Sequence, residues 1–235
     1  YYLYFIQTRG NADDAKRKEI SRTGYSHRQW KELRENQRTF VAVSDSLAGP
    51  WTVSPEPIVE PAKTITTLTV NPAVCRGPDG TYFMIVKGDK PGETRFIRNQ
   101  ALATAPSPEG PWTIHPRPVI DDLDTEDCSM WYDRSRRQFF AVFHARTYIG
   151  WLRSANGIDW ERIDPPLTPK VLRFADGFED APQRMERPFV LTDDHGRAQM
   201  LYVACRREDR TLNVAVPFDV PGPVAGHGSP AIGID

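Results

Sequence analysis

Internal repetition restricts the fold of this chain more than any other property of its sequence. Ala48-Gly49-Pro50-Trp51-Thr52-Val53 returns 61 residues later as Glu109-Gly110-Pro111-Trp112-Thr113-Ile114, and Pro57-Ile58-Val59 is answered by Pro118-Val119-Ile120. A looser third copy runs Asn156-Gly157-Ile158-Asp159-Trp160-Glu161-Arg162-Ile163. Each copy is a turn followed by a strand led by tryptophan. The segments ahead of the copies also align: residues 38–44, 100–105 and 148–154 read as strands, with a fourth at 211–216 that has no tryptophan copy after it. One step further upstream are apolar runs at 82–86, 139–143 and 200–204. Their length and their aromatic and branched content suit buried strands. Turn signals precede them at Asp79-Gly80, Asp133-Arg134 and Asp194-His195-Gly196. Before each turn stands a further short strand, opened by Asn71-Pro72, Glu126-Asp127 and Glu186-Arg187.

One period therefore contains four strands, the pattern of β-propeller blades set around a central channel. A β-sandwich would place turns every ~8–12 residues without this longer repeat. The expected fold is all-β, a propeller of four-stranded blades over residues 1–218, followed by a Gly- and Pro-rich tail at 219–235. Tyr2-Leu3-Tyr4-Phe5-Ile6 fits the second strand of a blade. Later blades open 11 to 14 residues before that element, so an opening strand is expected upstream of Tyr1. The count is one blade without its opening strand, two complete blades and one without its outer strand. That is about four blades, where rings have four to eight. A charged insertion, residues 10–37, interrupts the first blade. Its His27–Leu33 segment has helix-compatible spacing and fits a solvated rim element, or a loop that brings Arg34, Asn36 or Arg38 to the channel mouth.

Composition narrows the partners. Over 235 residues, 30 Lys+Arg face 31 Asp+Glu, and a net charge of -1 removes the electrostatic case for nucleic acid or an anionic membrane. With 39% hydrophobic residues the chain can bury a core, and no apolar run approaches the ~18 residues that span a bilayer. Cys75, Cys128 and Cys205 lack CxxC spacing and read as buried thiols. A start inside a strand assigns no cellular compartment.

Propeller sites form where opening strands meet at the axis, and here those strands carry Asn71, then Glu126-Asp127, then Glu186-Arg187. Glycoside cleavage needs a proton donor at the leaving oxygen and a second carboxylate beyond it. A third can hold the donor's pKa up by like-charge repulsion. On residues alone, these acids fit catalysis and turn formation equally well. Lys87 and His144 end second strands at comparable points, and with Arg38 and Arg187 they are candidates for binding a sugar. Solvated strand ends account for the charged ones, and a buried, hydrogen-bonded side chain accounts for His144. Trp51, Trp112 and Trp160 recur with the blades and read as packing residues. His115, His195 and His227 fall on turns or in the tail.

The run Asn71-Pro72-Ala73-Val74 with Asp79-Gly80-Thr81-Tyr82-Phe83-Met84-Ile85-Val86, then Gly110-Pro111-Trp112, Glu126-Asp127 with Trp131-Tyr132-Asp133, and Glu186-Arg187-Pro188 resembles the five-bladed β-propeller glycosidases. It is most similar to glycoside hydrolase families 43 and 117. The likeness runs from Tyr1 to about Phe218. It implies an inverting glycosidase acting on a carbohydrate, with Glu186 as general acid and Asp127 as the residue that modulates its pKa. Glu126 competes for that second role because successive strand residues face opposite ways. The general base would lie on the opening strand expected before Tyr1. Asn71, Glu126, Arg38, Lys87, His144 and Arg187 would bind substrate. Family 117 places a His acid just before the fourth-blade Glu; Met185 stands there, which favours Glu186 as donor. Some relatives hold a cation with an axial His, but no adequate ligand set is readable here, so neither metal nor other cofactor is expected. Two further readings remain open. One is a silent carbohydrate-binding propeller. The other is a phosphate-using phosphorylase with Arg38, Lys87 and Arg187 as its basic cluster.

Overall fold

The computed structural model describes residues 1–9, 14–174 and 176–218. The expected tail, 219–235, lies outside the described residues, as does the start of the insertion. Four antiparallel sheets follow one another along the chain. The first contains β1 (Tyr2–Thr8), β2 (Gln37–Val43) and β3 (Thr52–Val53), in that order. The second contains β4 (Thr66–Arg76), β5 (Tyr82–Asp89), β6 (Arg98–Ala105) and β7 (Thr113–Ile120). The third contains β8 (Glu126–Asp133), β9 (Gln138–His144), β10 (Tyr148–Ser154) and β11 (Glu161–Arg162), with β12 (Thr168–Pro169) also paired to β10. A small hairpin, β13 (Leu172–Arg173) and β14 (Glu179–Asp180), leads to the last sheet of β15 (Arg184–Thr192), β16 (Ala198–Arg207) and β17 (Arg210–Pro217). The sheets hold three, four, five and three strands, which apart from the added β12 matches the repeat. One boundary moves: the second blade's opening strand begins at Thr66, five residues before the expected Asn71, because pairing from Thr66 to Asp89 extends the ladder beyond Asn71.

Alternation along the second strands explains how the blades stack. Side chains one apart point to opposite faces, and both faces of β5 and β9 are buried. Met84 and Val86 join Ile58, Val59 and Tyr4 in the core between the first two sheets. Phe83 and Ile85 meet Phe139, Ala141 and Phe143 between the second and third. Phe140 and Val142 face Leu201, Val203 and Met185 between the third and fourth. The opening strands lie innermost, with β4 against both β2 and β8, and β8 against β15.

Two of the recurring tryptophans, Trp112 and Trp160, are packing residues. Trp112 meets Tyr4 edge-on at 6.5 Å, and Trp160 meets Phe139 at 6.5 Å. Gly110 has φ +109°, and a Cβ there would sit 3.0 Å from both Trp112 Cδ1 and its backbone nitrogen, so only glycine fits the turn. In the insertion, α1 covers Asp14–Thr23 and α2 covers Trp30–Glu35. The second helix starts later than the spacing at 27–33 suggests. His27 Nδ1 accepts from the Gln29 amide at 3.1 Å, closing a local turn that competes with the helix. The three cysteines are free thiols, Cys205 buried and the other two partly so.

Candidate functional site

Each opening strand breaks its ladder at the same place. Pairing is shifted between Val70 and Ala73, between Glu126 and Ser129, and between Glu186 and Phe189. At the break, Asn71, Asp127 and Arg187 adopt φ of 54°, 56° and 54°. These left-handed bulges place the three residues in equivalent positions, and Val70, Glu126 and Glu186 form the row one step earlier. Asn and Asp tolerate this backbone region. Arginine has no such allowance, and a left-handed residue of that kind costs about 1–2 kcal/mol.

Asp127 is the centre of the first row and is 7% exposed. Asn71 Nδ2 donates to its Oδ1, Arg187 Nη1 lies 3.5 Å from the same oxygen, and His144 Nδ1 lies 3.5 Å from Oδ2. Burial raises the cost of ionising Asp127, but His144, Arg187 and Lys87 together outweigh it and hold the carboxyl below its ordinary value. The His144 contact is electrostatic, since its buried Nδ1 completes no hydrogen bond. Asp127, Asn71 and Arg187 line an axial cavity of about 300 Å³ together with Tyr4, Phe5 and Phe189.

Glu126 faces elsewhere, which separates the two residues that alternation left in competition. It lines a mouth cavity of about 720 Å³. Lys87 Nζ bonds its Oε2 at 2.6 Å, and Arg98 bonds its Oε1 while gripping Asp124 at 2.6 Å. The insertion supplies one wall of this cavity: Arg34 pairs with Asp89, one bond at 2.7 Å, and lies 4.0 Å over the Phe96 ring. Of the three residues proposed to reach the mouth, Arg34 lines it. Asn36 caps the carbonyl of Glu32. Arg38 bonds Glu60 at 2.7 Å and the carbonyls of Glu35, Gln37 and Thr67, tying the insertion to the sheets. Of the basic cluster considered for phosphate, Lys87 lines the mouth cavity and Arg187 the axial one, while Arg38 is engaged by Glu60 and backbone carbonyls.

Glu186 lies outside both cavities and is salt-bridged to Arg184 at 2.9 Å, its side chain 26% exposed. One further residue belongs here that repetition could not reveal. Lys170 follows β12, and its ammonium lies within electrostatic reach of Glu186, Arg184, Glu126 and Asp127. Burial lowers the Lys170 pKa. No repeat counterpart marks it. The absence of a readable metal-ligand set needs correction: ligand atoms of Glu126, Asp127 and His144 lie within 4.8 Å of one another. Two carboxylates and an imidazole could hold a divalent ion. Lys87, Arg98 and Arg187 already neutralise those carboxylates, and an ion would have to displace them. The site as built does not fit a resident metal.

No protein-family model and no curated protein sequence matches the chain. Solved structures do. Fructan 1-exohydrolase IIa of Cichorium intybus, in complex with 1-kestose, superposes with a TM-score of 0.57 at 15% identity, over 78% of this chain and 37% of its own. Exo-β-1,3-galactanase of Phanerochaete chrysosporium, with β-1,3-galactotriose, gives 0.53 at 13% identity, over 79% and 42%. A glycosyl hydrolase of Bacteroides ovatus gives 0.54 at 15% identity, over 80% and 59%. The chain thus spans less than two thirds of the length of each. The architecture these structures share with the four sheets described above is the five-bladed β-propeller.

Proposed function

We propose that this chain belongs to a glycosidase that cleaves an oligo- or polysaccharide with inversion at the anomeric carbon. The observation that carries the reading is Asp127, a buried carboxylate kept ionised at the meeting point of three opening strands. It lies in a fold shared with carbohydrate-cleaving enzymes. In this reading Glu186 gives its proton to the departing glycosidic oxygen, and the Asp127 charge opposes early loss of that proton. Glu186 leaves Arg184 when substrate fills the site. Asn71 and Arg187 hold Asp127 and touch the sugar from the axial cavity, and His144 orients the pair from the side. Glu126, with Lys87 and Arg98, forms the polar floor of the outer cavity.

Incubation with a panel of plant and algal oligosaccharides, followed by NMR of the first-formed product, tests this. The expected result is release of a sugar whose anomeric configuration is opposite to that of the bond cleaved. A retained configuration rejects inversion, and the absence of product from every substrate rejects the enzyme reading. The runner-up is a silent carbohydrate-binding propeller, favoured by the Arg184–Glu186 salt bridge, which leaves the donor bonded outside both cavities. Sugar binding without product supports it.

A further inference from the structure

The turns at the other end of the opening strands hold a separate cavity, away from the acids. Asp133 lies at the far end of β8 from Asp127, roughly 20 Å away at ~3.3 Å per residue. There Arg76, Gly77, Pro78, Tyr132, Arg134 and Arg137 line a hollow of about 560 Å³. Three of these residues carry a guanidinium group and none carries a carboxylate. The mouth cavity is the opposite case, since its Lys87, Arg98 and Arg34 each face an acid. Among the described residues, neither the Arg76 nor the Arg137 guanidinium has a hydrogen bond or an ion pair. Arg76 lies 5.8 Å over the Tyr82 ring, and Arg134 donates only to the Asp194 carbonyl at 3.3 Å. The carboxylates in these turns are used locally. Asp79 accepts from the Thr81 amide and hydroxyl at 3.0 Å, Asp133 from Ser135 and Arg136, and Asp193 pairs with Arg197.

The backbone singles out Arg137. Each of the three turns closes on a ladder partner: Gly77 with Thr81, Asp133 with Gln138, and Asp193 with Arg197. The residue just before that partner is left-handed every time, at φ 90° for Gly80, 53° for Arg137 and 80° for Gly196. Glycine adopts this conformation without a steric cost and arginine does not. A strained residue of this kind is characteristic of ligand contacts. The packing around the hollow is fixed, since the fourth sheet's turn comes so close that a Cβ on Gly196 would meet the Tyr132 carbonyl at 2.0 Å. Three like charges around one hollow repel one another, and their N–H forks match the oxygens of a phosphate or sulfate. We propose that Arg76, Arg134 and Arg137 form a binding site for a tetrahedral oxyanion, a phosphate or sulfate, taken up as the free ion or as an ester group on a sugar. The site does not depend on the glycosidase reading.

The test is calorimetric titration at low salt with inorganic phosphate, inorganic sulfate and galactose 6-phosphate, with potassium chloride at matched ionic strength as reference. At least one oxyanion binds saturably at a single site, chloride does not, and the affinity falls as salt is raised. Arg137→Gly weakens that binding about tenfold or more. The same substitution raises the melting temperature of the anion-free protein, because it relieves the left-handed backbone. Arg76→Gln/Arg137→Gly removes the binding altogether, whereas Glu186→Gln leaves it unchanged. Tighter binding of galactose 6-phosphate than of inorganic phosphate identifies a sugar ester as the source, and equal or weaker binding identifies the free ion. Four results overturn the proposal: no saturable binding of any oxyanion, an isotherm that chloride reproduces, an affinity unchanged in Arg76→Gln/Arg137→Gly, or a loss of binding in Glu186→Gln.

Discussion

The opening strands of the third and fourth sheets present the same backbone with different surroundings. Both carry a Glu immediately before the bulge, and both bulge at the next residue with φ near 55°. In the third sheet the bulged residue is Asp127, buried and ringed by Asn71, His144 and Arg187. In the fourth it is Arg187, exposed and paired only with Asp127 among the described residues. The preceding glutamates differ in the same sense: Glu126 is gripped by two cations and Glu186 by one. Equivalent backbone thus fixes where a side chain stands, and the neighbouring blade decides whether it is a fixed charge or one free to meet a ligand. In the proposed mechanism the third sheet supplies the fixed electrostatics and the fourth the reacting and binding groups.

If that division holds, the largest effect comes from the fourth sheet. Glu186→Gln lowers turnover by about 10²–10⁴, the range for loss of a general acid, while melting temperature stays near that of the parent protein. A large stability loss instead would move Glu186 into the fixed class. Asp127→Ala removes a buried charge, leaves Asn71 without its acceptor and Arg187 without its ion-pair partner, and costs about 3 kcal/mol of stability by urea unfolding. A cost within ~0.5 kcal/mol would erase the contrast.

Acid titration sharpens it further. Because the folded Asp127 carboxyl lies below 3.8, its contribution is complete above the ordinary carboxylate range and is lost as pH falls through the folded value. In urea unfolding followed downward from pH 5, Asp127→Asn should show a shallower loss than the parent protein. Parallel curves would show that Asp127 is not held ionised by its neighbours. The smallest effect is Arg187→Gly, which relieves the left-handed backbone and stabilises by up to about 1 kcal/mol. Destabilisation there would mean that Arg187 belongs with the structural cations.

The sequence was most readable where side chains repeat. Gly110-Pro111-Trp112 and its copies mark blades because a positive-φ turn against an indole admits little else, and the doubly buried runs at 82–86 and 139–143 declare second strands by their unbroken apolar content. The site was legible as a set of strand starts and illegible in its facing. Period-2 reasoning assumes an unbroken ladder, and the bulge at Asp127 breaks it, so Glu126 and Asp127 could not be divided between cavities from sequence. Arg38 looked available because nothing local shows that Glu60 and three carbonyls surround it. Lys170 stood outside every repeat, and only the β10–β12 pairing carries it back to the site.

Dependence on the leaving group tests the central claim most directly. A general acid matters in proportion to how poorly the departing oxygen bears negative charge. With Glu186 as donor, Glu186→Gln loses about a thousandfold in kcat/KM on an oligosaccharide, and most of that loss vanishes on a nitrophenyl glycoside of the same sugar. Equal losses on both substrates, or none on either, would contradict the assignment of Glu186 and with it the division of roles between the third and fourth sheets.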